Sequence, residues 1–258
     1  MGQDKALIMR PDGTRQIDWL VKLARLAEGE VFLSMREPGV PPALLPAIFD
    51  LHPGAGPLAG LSAFHGWRPG EAVMVLSCDL FLLDEETVGC LLAKRDPSRL
   101  ATCFANRIDG HPEPLCTIYE ASALPQAEEW LERGKFGARR FLRSLDPLVL
   151  ELPHPAALDN ANTPLELAEC FSKLSHGVRE KPVEIFWDES WKSVTTLANT
   201  VGGLFEEISF RYRLRTVGQV YPWRNREICG WDTGIADLDQ IAFPGLTGGR
   251  IPPLLPPP

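Results

Sequence analysis

Three side chains and one glycine turn carry the chemistry legible in this sequence: Lys5, Asp50, Asp79 and the run Gly54-Ala55-Gly56-Pro57-Leu58-Ala59-Gly60. A lysine that follows a glycine-bearing loop can neutralise phosphate oxygens as a flexible point charge. Asp79 ends the apolar run Val73-Met74-Val75-Leu76-Ser77-Cys78. An acid at the end of a buried strand points into the crevice where α/β sheets bind ligands. There it suits Mg²⁺, which takes one or two carboxylates together with phosphate oxygens and water. The alternative for Asp79 is a cap on the next helix, a role Asp84 already fills. Asp50 ends a second short apolar run, and spacing alone leaves it open between site and turn. The glycine turn aims backbone N–H groups from a helix N-terminus, which suits an anion. Such a set fits nucleotidyl transfer, a reaction that needs positioning and charge stabilisation more than a covalent nucleophile.

Alternating strands and helices must position these groups. Ile17, Leu20, Val21 and Ala24 recur at helical spacing, which predicts a helix over 14–28 capped by Thr14. Strands are expected at 31–34 and 47–49, a helix at 57–67, and the central strand at 72–77. Asp84 caps a helix to residue 94, with acids at its positive dipole end. Strands at 100–105 and 115–119 flank the turn Asp109-Gly110-His111-Pro112, followed by helices at 124–132 and 137–145 and a strand at 148–152. Thr163-Pro164 opens a helix through 174. This alternation predicts a mostly parallel, doubly wound sheet. The pattern changes near 175–181. A strand at 183–187, a helix from Thr196 to about 208, and strands at 217–223, 227–231 and 240–243 suit a small α+β module.

Composition narrows the field. The 258 residues are 45% hydrophobic, enough for a substantial core, and the net charge of −8 argues against a nucleic-acid partner. It leaves a nucleotide ligand open, since one lysine and backbone N–H groups hold phosphates locally. There is no run of about 18 apolar residues to span a membrane, and the polar start lacks the apolar core of a signal peptide. The six scattered cysteines, Cys78, Cys90, Cys103, Cys116, Cys170 and Cys229, form no C-x-x-C pair. They read as buried free thiols, and the expected compartment is the cytoplasm. The five histidines show no metal-ligand spacing.

Residues 1–174 resemble the molybdenum-cofactor guanylyltransferase family, nucleotidyltransferases with a Rossmann-like three-layer α/β sandwich. Met1-Gly2-Gln3-Asp4-Lys5 looks like the second half of the family's glycine-rich signature. Gly56-Pro57-Leu58-Ala59-Gly60, Ser77-Cys78-Asp79, His111-Pro112-Glu113-Pro114-Leu115-Cys116 and Asn160-Ala161-Asn162-Thr163-Pro164 follow in the family's order. The resemblance implies Mg²⁺-dependent transfer of GMP from GTP to molybdopterin, releasing pyrophosphate. It implies that Lys5 contacts the phosphates, Asp79 binds Mg²⁺ and nucleotide, and Asp50 contacts the guanosine. Gly56 and Gly60 would line the nucleotide, and Asn160 and Asn162 the pterin side. Two departures stand out: Ser34 occupies a position where the family commonly has asparagine, and the family's first strand and first signature half are absent. The expectation is that Met1 is an internal methionine of a product starting about 15–20 residues upstream, enough for one strand and a phosphate loop.

Residues 182–249, after a linker at 175–181, resemble the molybdopterin synthase small subunit, a ubiquitin-like β-grasp sulfur carrier. Asn225-Arg226-Glu227, Trp231-Asp232-Thr233, the run Ala236-Asp237-Leu238-Asp239-Gln240-Ile241-Ala242-Phe243 and Thr247-Gly248-Gly249 carry the likeness. It implies the synthase large subunit as a partner. A proline-rich tail, 250–258, follows Gly249, so sulfur transfer would require its removal; an ordinary glycine turn before a disordered tail is the equal alternative. Two further readings remain beside the guanylyl one: cytidylyl transfer to the same pterin, and a catalytically degenerate nucleotide fold serving as a scaffold.

Overall fold

The computed structural model describes residues 4–52, 54–187, 190–214, 216 and 219–244. Met1-Gly2-Gln3, Gly248-Gly249 and the proline tail lie outside the described residues. The chain divides into two compact units, one ending at Leu158 and the other beginning at Asp159. The expected boundary lay later, at 174. Helix α6 (Pro164–His176) groups with the second unit, where it packs on helix α7 (Val201–Tyr212).

The first unit layers helices over both faces of a sheet. Strands β3 (Val73–Leu76), β4 (Ala101–Ala105), β5 (Pro112–Tyr119) and β6 (Leu148–Leu150) pair in the order β3-β5-β4-β6. One face packs Cys103 and Tyr119 against Leu58 and Phe64 of α2 (Pro57–Trp67), Leu124 of α4 (Leu124–Glu132) and Phe141 of α5 (Ala138–Ser144). The other packs Phe104, Cys116 and Ile118 against Leu23 of α1 (Gln16–Ala24) and Val88 and Leu91 of α3 (Glu85–Ala93). Coverage on both faces is why β3 reads as an unbroken apolar run, with Val73 and Val75 in one cluster and Met74 and Leu76 in the other. Each fully buried large apolar side chain contributes about 1.5–3 kcal/mol relative to exposure. Strands β1 (Leu33–Met35) and β2 (Ala47–Phe49) form a separate parallel pair.

Several expectations are corrected. The four-stranded sheet is mixed, because β5 runs antiparallel to both β3 and β4. The short 106–111 connection can close a hairpin but cannot carry a parallel crossover. The strand at 73–76, expected at the centre, pairs with β5 alone among the described strands. Thr14 does not cap α1: its hydroxyl donates to Asp12 Oδ1 at 2.6 Å, and the helix begins at Gln16.

The second unit has the sheet order β10-β9-β11-β7-β8. β7 (Lys181–Trp187) and β8 (Ser190–Thr196) form an antiparallel pair, β11 (Gln240–Ala242) runs parallel to β7, and β9 (Trp223–Arg224) is antiparallel to both β11 and β10 (Glu227–Ile228). Val183, Ile185, Ile241 and Phe243 pack against Val201, Leu204 and Ile208 of α7. Two differences from expectation stand here. Residues 190–196 form a strand, and the helix cap is Thr200, whose hydroxyl accepts from Gly203 N at 3.0 Å. Thr196, the expected cap, ends β8 and donates to Glu207 Oε2. Of the strand expected at 217–223, residues 217 and 218 lie outside the described residues, and the described part is Trp223–Arg224.

Candidate functional site

In the first unit Ser34 lies within β1, Asp50 directly follows β2, and Asp79 follows β3 by three residues. Lys5 opens a short 3₁₀ turn, Lys5–Leu7, capped by Asp4, whose Oδ1 accepts from Ala6 N at 3.0 Å. Next in sequence, Ala6 packs in one apolar cluster with Leu33, Met35, Ala47 and Cys78. The neighbours of Lys5, Ser34 and Asp79 therefore share a single contact group. Lys5, Asp4 and Asp79 all act electrostatically on the Cys78 thiol, which burial pushes up to about 11. A thiol so buried stays protonated and is no nucleophile.

Two buried polar side chains fix the segment that carries Lys5 against the loop after Asp79. Arg10 donates to the Phe81 carbonyl at 2.7 Å and to Gln16 Oε1 at 2.9 Å, while Gln16 Nε2 donates to the Leu80 carbonyl at 3.1 Å. Both residues are buried, Gln16 completely. The sequence reading passed over them, since an arginine and a glutamine near a helix start look like surface residues.

Asp50, Ser34 and Gly60 meet at a second point. The Asp50 N–H donates to the Met35 carbonyl at 3.0 Å, which joins the end of β2 to β1. A Cβ placed on Gly60 would lie 2.6 Å from Ser34 Oγ and 4.0 Å from Asp50 Oδ1. A side chain there would have to displace the Ser34 hydroxyl, so close approach and not backbone conformation favours glycine. Gly56 is the opposite case: its φ of +66° at the N-cap of α2 is a conformation L side chains rarely adopt. Burial pushes the Asp50 carboxyl above its ordinary value, and Arg36 partly offsets this. Arg36 is a site neighbour the sequence reading missed; its only signal was a position just past a strand end.

Asp79 Oδ1 is buried and has no hydrogen-bond partner. A buried carboxylate oxygen without a donor is costly unless something else neutralises it, and a carboxylate oxygen suits a hard divalent cation in chemistry. Among the described residues no cluster of three or more acids, cysteines or histidines could enclose a metal alone. Mg²⁺ is suited to such a site, because it keeps waters and shares phosphate oxygens. Asp79 lies in the turn after β3, past the last ladder pair, Leu76 with Cys116, and it acts electrostatically on Glu113 of β5. Glu113 is buried and pushed up chiefly by that burial, with Asp79 adding to the shift, while Arg139 and Asn106 donate to its Oε2.

Asn160 and Asn162 belong to the second unit. There the Asn162 N–H donates to Glu166 Oε2 at 2.7 Å, beside the capping box that Thr163 and Glu166 build at the start of α6. In the first unit, Lys5 and Asp79 thus both act on Cys78, while Ser34 and Asp50 lie against Gly60, and Gly56 turns the chain into α2.

Residues 1–148 match the MobA-like NTP transferase domain. A Nostoc protein named "probable molybdenum cofactor guanylyltransferase" is 32% identical over 173 residues, covering 65% of this chain and 83% of that protein. A Synechocystis protein named "molybdenum cofactor biosynthesis bifunctional protein" is 30% identical over 170 residues, 64% of this chain; the match spans about half (48%) of that protein's length. The crystal structure of molybdopterin-guanine dinucleotide biosynthesis protein A from Archaeoglobus fulgidus superposes with a TM-score of 0.54 at 20% identity, covering 67% of this chain and 92% of that one. That likeness is one of fold. The chain belongs to the MobA-like NTP transferase domain family and is a nucleotidyltransferase of the molybdenum cofactor guanylyltransferase kind.

Proposed function

We propose that this protein transfers GMP from GTP to molybdopterin. A terminal phosphate oxygen of the pterin attacks the α-phosphorus of GTP, the bond to the β-phosphate breaks, and pyrophosphate leaves with the electron pair. Lys5 offsets charge on the phosphates, Asp79 would hold Mg²⁺, and Asp50, Ser34, Gly56 and Gly60 line the nucleoside and its approach to α2. Asn160 and Asn162 serve the pterin side. Bound Mg²⁺ would supply charge neutralisation on the phosphates; the protein supplies positioning. The observation that carries the reading is the partnerless buried Oδ1 of Asp79 in the same cluster of neighbours as Lys5. The free cysteines suit a reducing compartment, and the cytoplasm is the proposed location; no helix among the described residues is long and apolar enough to cross a membrane.

The test is label transfer. GTP labelled at the α-phosphate, incubated with Mg²⁺ and molybdopterin, should yield labelled pterin dinucleotide, and γ-label should appear only in pyrophosphate. Preferential use of CTP would move the chain to the cytidylyl branch. Transfer of neither would favour the scaffold reading.

For the second unit, we read the sheet as a β-grasp. Its support is the strand order, with the first and last strands, β7 and β11, parallel at the centre, flanked by two antiparallel neighbours and crossed by one helix. A sulfur-carrier role, with the synthase large subunit as partner, depends on Gly249 becoming a free carboxylate. Intact mass of the protein from its native host tests that step.

A further inference from the structure

Behind the nucleotide turn sits a polar cluster that the proposed reaction does not use. Glu128 of α4 faces α2 and the loop leading into it. Its Oε1 lies 3.1 Å from His52 Nε2, and its Oε2 accepts from the Ser62 hydroxyl. Ser62 is only 2% exposed, so its hydroxyl is supplied almost entirely by this carboxylate. Hydrogen bonding from Ser62, then from His52, holds the Glu128 carboxyl below its ordinary value, with His65 adding a further favourable charge.

What makes the cluster more than a helix–helix contact is what lies on either side of it. His52 is two residues past Asp50, and its carbonyl accepts from Ala55 N at 3.1 Å, closing the turn that leads to Gly56. Ser62 is two residues past Gly60, which places the two about 200° apart around a helix of 3.6 residues per turn. One face of α2 therefore abuts Ser34 and Asp50 through Gly60, while the other is gripped by Glu128 through Ser62. One carboxylate thus contacts both His52, ahead of the turn, and Ser62, within α2.

We infer that Glu128 is a positioning residue for the nucleotide site, acting through His52 and Ser62 to hold the Asp50–Gly60 turn against β1. The inference rests on the nucleotide reading of that turn. It asks nothing of Glu128 in the chemical step, so its removal should weaken ground-state nucleotide binding and leave turnover at saturation unchanged.

The experiment compares the full-length protein with Glu128→Ala, Glu128→Gln and His52→Ala. Glu128→Ala should raise KM for GTP about five- to tenfold, with kcat within about twofold and KM for the pterin unchanged. Glu128→Gln keeps an acceptor for Ser62 and should recover most of the loss, and His52→Ala should show a smaller rise. Backbone amide exchange over 54–60 should accelerate in Glu128→Ala, measured without nucleotide. A KM for GTP equal to the parent's, or a fall in kcat matching the rise in KM, would overturn the inference. So would unchanged exchange over 54–60. Failure of the parent protein to bind GTP, with the exchange response intact, would instead remove the nucleotide reading and leave Glu128 as a restraint on the turn.

Discussion

Asp79 and Asp239 are both acids with buried oxygens, and their surroundings differ completely. Asp239, in the second unit, accepts from Arg224 at 2.6 Å, from Asn225 at 2.6 Å and from the Ala236 N–H at 2.7 Å. Burial pushes its carboxyl up, but Arg224, the Ala236 N–H and Asn225 together hold it below the ordinary range. Asp79, in the first unit, leaves Oδ1 buried without a partner. Asp50, beside the same site, is pushed up by burial. The satisfied acid fits a structural role, and the partnerless oxygen at a strand end fits the metal role proposed for Asp79.

The largest effect that separates the two acids is on activity. Asp79→Asn should lower kcat/KM for GTP by about 10²-fold or more with an unchanged melting curve. Asp239→Ala should leave nucleotide affinity alone and destabilise the second unit by about 3 kcal/mol, since it leaves Arg224 without its buried partner. Calorimetry and steady-state kinetics on both variants check this, and an Asp79→Asn protein that melts early would blur the distinction.

The acids should also respond oppositely to pH. Asp239 is held low when folded, so its contribution is present above the unfolded carboxylate pKa of about 3.9 and is lost as pH falls through its lower folded value. Asp50 is raised when folded, so its ionisation opposes folding at neutral pH, and that cost disappears as pH falls below the raised value. Asp50→Asn should therefore raise Tm by about 1–2 °C at pH 7 while weakening GTP binding. A fall in Tm would contradict the assigned cause.

Gly60→Ala sharpens the geometry. The new Cβ would meet Ser34 Oγ at 2.6 Å, costing about 1–2 kcal/mol unless the serine turns away. Adding Ser34→Ala should restore the melting temperature of Gly60→Ala. The smallest effect concerns His154, whose Nδ1 lies 2.5 Å from Asp84 Oδ2 and whose pKa is raised chiefly by that bond. Its contribution is full below the unfolded value near 6.5 and is lost as pH rises through the raised folded value. Half-exposed as it is, the pair is worth less than about 1 kcal/mol. His154→Ala should lower Tm slightly at pH 6 and not at pH 9.

The two units also differ in how much of them the sequence reveals. Helices at 57–67 and 124–132 and the strand at 47–49 match expectation residue for residue, because Pro57 and Pro125 near the helix starts and the sharp apolar edges mark them locally. The antiparallel course of β5 was legible only in the short connection at 106–111, since a strand covered on both faces carries no directional signal of its own. Strand 190–196 was missed because Ser190-Trp191-Lys192-Ser193 alternates weakly, and Thr196 and Thr200 are equally good caps by type. At the site, glycines and strand-end acids announce themselves. Arg10, Arg36, Glu113 and Glu128 do not, because each acts through a partner distant in sequence.

The most direct test of the central claim is a calorimetric titration of the full-length protein with GTP, with and without Mg²⁺. Binding should strengthen markedly with Mg²⁺, and Asp79→Asn should abolish the Mg²⁺ dependence while Asp239→Ala preserves it. GTP affinity indifferent to Mg²⁺, or unchanged by Asp79→Asn, would contradict the claim.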